Sequence, residues 1–421
     1  MPFEVPNGWV WSILSNLCTI PITDGTHQTP TYTDKEHGIP FISSKDVTSQ
    51  KINWDNIKYI TKELHEELYK RVAPQKDDIL LAKNGTTGVA AIVEDSRVFD
   101  IYVTLALIRP NKNVNPYYLY YVINSGFCKE QFNSHLTGIG LPNLHLTDIK
   151  KTFIPLPPLT EQERIVSEIK RWFTLIDKLE QEKTDLLTAI KQTKSKILDL
   201  AIHGKLVPQD LNDEPASELL KRINPNAEIT CDNGHYQNLP KGWCTTSIKN
   251  ICDNINGLWK GKKDPFINVG VIRNANFTKD FKLDYSNIEY IDVEQRAFSQ
   301  RHLKNGDLII EKSGGSDNYP VGRAILYEGK DELYSFSNFT MVLRIKDKNI
   351  ISSKFLYYFL LDKYKKGVMR TMQTQTTGLH NLILDKYLSM ELCIPPYSEQ
   401  KRIIDAIEEL FDKLDAIMES L

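Results

Sequence analysis

The chain has 421 residues and a mass of 48.4 kDa, of which 41% are hydrophobic and 25% charged, with a net charge of −2. That composition suits a soluble globular protein of two to three domains of ~100–200 residues each. It excludes membrane spanning by an apolar helix, because no run approaches the roughly 18 residues such a helix needs. Met1 to Pro6 has no basic segment ahead of an apolar one, so no secretory leader is expected. Cys18, Cys128, Cys231, Cys244, Cys252 and Cys393 form no CxxC pair and no zinc-ligand spacing, which predicts free thiols in a reducing cytoplasm. The charge is uneven: residues 1–150 hold 14 Lys+Arg against 16 Asp+Glu, whereas residues 239–392 hold 23 against 17. The second region is therefore basic, and the bland reading of that asymmetry is a solvated surface.

In chain order, the first landmark is Val5-Pro6-Asn7-Gly8-Trp9, and it recurs as Leu239-Pro240-Lys241-Gly242-Trp243. Each copy precedes a short apolar segment, Ile13 to Leu17 and Ile248 to Ile251. Asp77-Asp78-Ile79-Leu80-Leu81 is echoed by Gly306-Asp307-Leu308-Ile309-Ile310. Val98 to Ile108 and Phe339 to Ile345 read as strands, being rich in β-branched and aromatic residues. Pro116 to Ser125 and Ser353 to Asp362 read as helices, and Asn115-Pro116-Tyr117-Tyr118-Leu119 matches Ser353-Lys354-Phe355-Leu356. Gly140-Leu141-Pro142-Asn143-Leu144 is echoed by Gly378-Leu379-His380-Asn381-Leu382. Ile154-Pro155 through Glu161-Gln162-Glu163-Arg164-Ile165 is echoed by Ile394-Pro395 through Glu399-Gln400-Lys401-Arg402-Ile403. Six blocks in one order mean a duplicated domain, and divergent stretches between them suit two modules with different targets.

After Pro157-Pro158, Thr160-Glu161-Gln162-Glu163 reads as a capping box opening a helix that ends before Gly204. Its apolar seam runs Ile165, Ile169, Trp172, Ile176, Leu179, Lys183, Leu186, Ile190, Thr193, Ile197 and Leu200, a 4-3 alternation of coiled-coil type in which Lys183 and Thr193 are polar breaks. A second helix from Ser398 carries Ile403, Ile407, Leu410, Leu414, Ile417 and Leu421 in the same alternation. An antiparallel pairing of the two would make a rigid spacer between modules. The periodicity fits a plain helical hairpin or a homodimer zipper as well. The predicted architecture is mixed α/β (α+β): a first recognition module at 1–153, a helical spacer and connector at 154–238, a second module at 239–393 and a closing helix at 394–421.

Two divergent modules, each followed by a proline stop and a Glu-Gln-x-Arg-Ile helix, resemble the specificity subunits of type I restriction-modification systems. Leu200-Ala201-Ile202-His203-Gly204-Lys205-Leu206-Val207-Pro208-Gln209-Asp210 resembles that family's central region, and Asp24-Gly25-Thr26-His27-Gln28-Thr29-Pro30 a frequent opening of its recognition domains. The resemblance covers essentially the whole chain. It implies a cytoplasmic, non-catalytic subunit that binds double-stranded DNA, one module per half of a split asymmetric site. It also implies docking of modification subunits, two in number, and of a motor-nuclease restriction subunit. S-adenosylmethionine, ATP and Mg would sit on those partners, with no cofactor and no metal on this chain. A coiled-coil scaffold without DNA reading, or a stand-alone DNA-modifying enzyme, are the competing readings.

The residues themselves offer little for the enzyme reading. Asn115-Pro116-Tyr117-Tyr118 lacks the second proline of an amino-methyltransferase motif, and a capping Asn before Pro at the first helical position explains it better. Asp307 to Glu311-Lys312 has the wrong spacing for a nuclease triad, and no Gly-Lys-Ser/Thr phosphate loop exists. For DNA contact the candidates in the first module are Thr26, His27 and Gln28, then Ser44 and Lys45, then Lys83, Asn84 and Thr86. In the second they are Trp259, Lys260 and Lys262, then Arg273 and Asn274, then Lys312, Ser313, Asn318 and Tyr319. Loops before the following helices add Asn143 and His145, and Gln375 and Asn381. Lys and Arg would meet phosphates or guanine, while Asn and Gln suit adenine edges.

Overall fold

Four consecutive buried residues, Ile79–Ala82, and the equally buried Leu105–Ile108 lie side by side as antiparallel strands at the centre of the first module. Strands buried on both faces read as continuous apolar runs, and these do. Thr23–Asp24 and Ala90–Ile92 flank them to complete a four-stranded sheet. A second sheet orders Tyr32–Thr33, Lys58–Ile60, Ile39–Ile42 and Asp100–Ile101. The single strand expected over Val98 to Ile108 is thus two strands in different sheets. They part because Tyr102 to Thr104 turn, with Val103 N–H bonded to Thr26 O and Leu105 N–H to Tyr102 O. The helix Pro116–Ile123 is capped by Asn115, whose side chain accepts from the Tyr117 and Tyr118 amides, the structural role assigned to that asparagine from sequence.

The structure is a computed structural model describing residues 3–28, 30–136, 142–223, 225, 239–258, 265–316, 318–376 and 378–421. These divide into two compact units, Met1–Glu180 and Gln181–Leu421.

The second module repeats the main sheet of the first strand for strand. Its main sheet orders Cys252–Asn256, Thr340–Ile345, Leu308–Glu311 and Ala324–Leu326. Phe266–Ile272 pairs parallel with Tyr334–Phe336, as Ile39–Ile42 does with Asp100–Ile101. A further three-stranded sheet joins Ser313–Gly314, Leu379–Leu382 and Gln373–Thr376. In both copies an aspartate beneath the main sheet holds an arginine in a fork. Arg109 donates Nε and Nη2 to Asp78 at 2.7 and 2.7 Å, and Arg344 donates the same atoms to Asp307 at 2.9 and 2.7 Å. The residue ahead of each aspartate has positive φ, and there Asp77 stands where the second copy has Gly306.

Val10–Ile13 pairs with Phe153–Leu156, and Cys244–Ser247 with Glu391–Ile394. That register matches Leu156 to Ile394 and Pro157-Pro158 to Pro395-Pro396, two residues along from the match expected. A buried glutamine then ties each following helix to its module. Gln162 accepts from Asn115 N–H at 2.8 Å and donates to Asn113 O and Pro157 O; Gln400 accepts from Ser352 N–H at 2.8 Å and donates to Ile350 O and Pro395 O. The helices begin at Leu159 and Tyr397, so Thr160 and Ser398 lie inside the first turn and the expected Thr160 capping box does not form.

The long helix, Leu159–Ile202, has 44 residues and the C-terminal helix, Tyr397–Glu419, has 23. The long helix ends as predicted. Gly204 has φ +62°, its N–H bonds Ala201 O, and Lys205 N–H bonds Leu200 O. Within the second unit the two helices run antiparallel. Ile403, Ile404 and Ile407 pack with Ile197, Leu198 and Ala201, Lys194 pairs with Asp415, and Lys183 donates to the Leu421 carbonyl. The seam is therefore covered over only part of its length. Ile190, Ile197, Ile403 and Ile407 are buried, and Ile165, Ile169, Leu200, Leu410 and Leu414 half-buried, but Trp172, Ile176, Leu179, Leu186 and Ile417 are exposed. Within the second unit the C-terminal helix lies alongside the long helix from Ala201 back to Lys183.

Cys18, Cys128, Cys252 and Cys393 are free thiols, and burial pushes the first three up to about 12. Cys244 departs from the expectation: it is disulfide-bonded.

Candidate nucleic-acid interface

Separate loops of the first module converge on Thr104. Ser44 N–H donates to its hydroxyl at 3.0 Å and Lys83 N–H to its carbonyl at 2.9 Å. Leu144 N–H donates to Lys83 O at 2.8 Å, and the Asn84 amide donates to Asn143 Oδ1 at 2.9 Å. Thr26 bridges Tyr102 alongside. This tight approach requires Gly25, where a Cβ would stand 1.9 Å from Ile101 O.

The second module builds the same cluster on Phe339. Lys312 and Ser313 N–H donate to its carbonyl at 2.8 and 3.0 Å, and Leu382 N–H donates to Lys312 O at 2.9 Å. The Asn274 amide donates to Ser313 O at 2.6 Å, and Ser313 stands opposite Asn381. Gln375 stands opposite His380 on the neighbouring strand. Gly257 repeats Gly25, with a Cβ position 1.8 Å from Ser337 O. Ser43 N–H to Asp46 at 2.8 Å is matched by Arg273 N–H to Asn276 at 2.9 Å. Stretches that look unrelated in sequence thus share one framework, on which Ser44 matches Asn274, Lys83 matches Lys312, Asn84 matches Ser313 and Asn143 matches Asn381.

Not all of them face solvent. His27, Gln28, Lys45, Thr86, His145, Asn318, Tyr319 and Gln375 are exposed. Ser44, Asn84, Asn143, Arg273, Asn274, Lys312, Ser313 and Asn381 are half-buried. Thr26 and Lys83 are buried, at 8% each, Lys83 against Asp24. Trp259, Lys260 and Lys262 lie outside the described residues, as do Thr29 and Gly138 to Leu141.

The electrostatics separate the two modules. In the first, buried Asp24 pairs with Lys83 at 3.1 Å, with His27 at 3.3 Å and with Arg71 at 3.5 Å. In the second, the Lys312 ammonium donates to the Asn256 amide oxygen at 3.2 Å, and burial pushes its pKa down. Glu311 is raised by burial, with Arg323 opposing the shift from 3.2 Å. Asp307 is paired with Arg344 and Glu311 with Arg323, so the carboxylates of the Asp307 to Glu311-Lys312 stretch serve ion pairs, and Arg273 is paired with Glu289. Among the described residues no cluster of three or more His, Cys, Asp or Glu is placed to hold a metal ion. The surface offers amides, hydroxyls and cations, a set suited to hydrogen-bonding a nucleic acid.

Arg71, Thr104, Asn256 and Phe339 were missed from sequence. For Asn256 the signal was present: Asp24-Gly25 and Asn256-Gly257 each follow a Gly-Trp landmark at similar distance. Because Lys83 serves Asp24, Lys83→Ala is expected to destabilise the first unit by about 1–3 kcal/mol. Lys45→Ala, at an exposed position, is expected to stay within about 0.5 kcal/mol. Urea melts of the two variants check this; equal stabilities would contradict it.

The family model for the type I restriction modification DNA specificity domain matches the chain twice, over residues 6–189 and 240–421. The type I restriction enzyme StySPI specificity subunit of Salmonella potsdam is 22% identical over 98% of this chain and 84% of its own length. The EcoKI specificity subunit of Escherichia coli (strain K12) is 19% identical over the same shares, 98% and 84%, and the EcoAI subunit of Escherichia coli is 26% identical over 97% and 78%. The fold is similar to that of the HsdS subunit from Thermoanaerobacter tengcongensis, with a TM-score of 0.57 at 20% identity over 100% of this chain and 93% of that one. A chain from a type I R-M system solved for its complex assembly gives 0.59 at 19% identity, over 100% and 94%.

Proposed function

Since the chain belongs to the type I restriction-modification DNA specificity family, matched by both of its modules, we propose that it reads a split, asymmetric DNA site, one module to each half. It is a specificity subunit, and subunits of this kind recognise DNA sequence without catalysing a reaction. The observation that carries the split reading is the duplicated framework around Thr104 and Phe339, which presents different side chains at the same positions. Asn84 and Ser313, or Ser44 and Asn274, would then meet different base edges.

The long helix acts as a spacer of about 65 Å, at ~1.5 Å per residue, setting a gap that goes unread. Its exposed apolar residues Trp172, Ile176 and Leu179 give modification subunits a surface to dock on. Those subunits carry S-adenosylmethionine, and a restriction subunit brings ATP and Mg. No described helix is long and apolar enough to cross a membrane. A cytoplasmic location for the complex is part of this proposal and rests on the family resemblance.

Selection of duplexes from a random pool by the chain bound to its modification subunit tests the split reading. Two fixed blocks separated by unselected positions are the expected result. One contiguous block, or no enrichment, would overturn it.

A further inference from the structure

Register fixes which residues of the two modules correspond. Asp24 stands opposite Ala106, which stands opposite Leu81; Asn256 stands opposite Met341, which stands opposite Ile310. Two residues beyond Leu81 and Ile310 are Lys83 and Lys312. Both lysines use their backbone alike, yet their ammonium groups meet different partners. That of Lys83 is buried against the Asp24 carboxylate, so its charge is matched inside the module. That of Lys312 is half-buried against the neutral Asn256 amide, and no carboxylate pairs with it among the described residues. Among the described residues, a cation partly removed from water and facing an amide oxygen lacks the carboxylate partner a buried charge needs.

Its surroundings say which partner fits. The neighbouring arginines are already committed, Arg323 to Glu311 and Arg273 to Glu289. The described residues around Lys312 therefore form no cationic track of the kind that follows phosphates. They are Ser313, Asn274 and Asn381, uncharged groups that hydrogen-bond. A single cation among neutral donors and acceptors suits an acceptor-rich base edge.

We propose that Lys312 is a specificity-determining residue of the second module, donating to the O6/N7 edge of a guanine in its half-site, while Lys83 at the matching position is a structural ion pair that reads no base. The proposal rests on the DNA-reading function above. Asn256→Asp tests it without touching the lysine, because position 256 is exposed and the new carboxylate would neutralise Lys312 as Asp24 does Lys83. Lys312→Met removes the charge directly. Each variant is bound to its modification subunit, and the methylated motif is sequenced. The expected result is that both variants lose preference for guanine at one position of one half-site, by about 10-fold or more, with the other half unchanged. An unchanged motif overturns the assignment. So does uniform weakening on every sequence with a salt slope shallower by about one, the mark of a phosphate contact. If the unmodified complex marks no split motif at all, the DNA-reading proposal fails instead, which is a distinguishable outcome.

Discussion

Arg344→Met is expected to cost the second unit about 3–5 kcal/mol, because it leaves the Asp307 carboxylate buried with no cation. Asp307 is 0% exposed, and the forked contact from Arg344 supplies most of its hydrogen bonding. The same guanidinium also donates to His302 O at 2.8 Å, tying the turn at His302 beneath the sheet. Arg109 does this in the first unit, donating to Ala73 O at 2.7 Å. Urea unfolding of the full chain should show two transitions, with Arg344→Met moving one and Arg109→Met the other. The buried Trp243 supplies a fluorescence signal for the second unit. A shift below about 1 kcal/mol in either case would mean that water enters and solvates the aspartate.

Ile407→Ala is expected to cost about 2–5 kcal/mol, and Leu179→Ala to stay within about 0.5 kcal/mol, although both occupy the same kind of position in the apolar alternation. Ile407 is 0% exposed in a cluster with Ile197, Leu198 and Phe355, so its truncation opens a cavity. Leu179 is 65% exposed and loses little. Equal losses in the isolated chain would show the long helix to be covered over its whole length. With a modification subunit bound, Leu179→Ala should instead weaken assembly, and pull-down of the complex reads that directly.

The helices show what sequence can and cannot carry. Their phase, their 4-3 alternation and the Gly204 stop are written in apolar spacing and in one residue that accepts positive φ, and both survive into the structure. How far the seam is covered is not local information. It depends on where the second helix ends relative to the first, and Trp172 reads the same as Ile197 in a periodicity. The helix starts were missed by one residue because Pro158 and Pro396 can open a helix without a capping side chain, and the tethering falls to the buried Gln162 and Gln400 further in.

The interface divides in the same way. The loops carrying Ser44, Asn84, Asn274 and Ser313 were found by their polar composition and their place between apolar runs. Their convergence on Thr104 and Phe339 could not be read, since Phe339 acts through its backbone carbonyl and Thr104 through its carbonyl and hydroxyl, contacts that only the tertiary fold brings together. Lys83 looked like a DNA contact because a lysine beside Asn-Gly normally faces water. Its neutralisation by Asp24, 59 residues earlier in the chain, is a tertiary fact.

The most direct test of the central claim is the methylome of a host expressing this chain with its modification subunit. The account requires a new motif of two fixed parts separated by a constant unread gap, with methylated adenine in both parts. Substitutions on the Phe339 cluster should alter one part only. A continuous motif, or a soluble complex that adds no methylation, would contradict the reading of this chain as two modules that each recognise half a site.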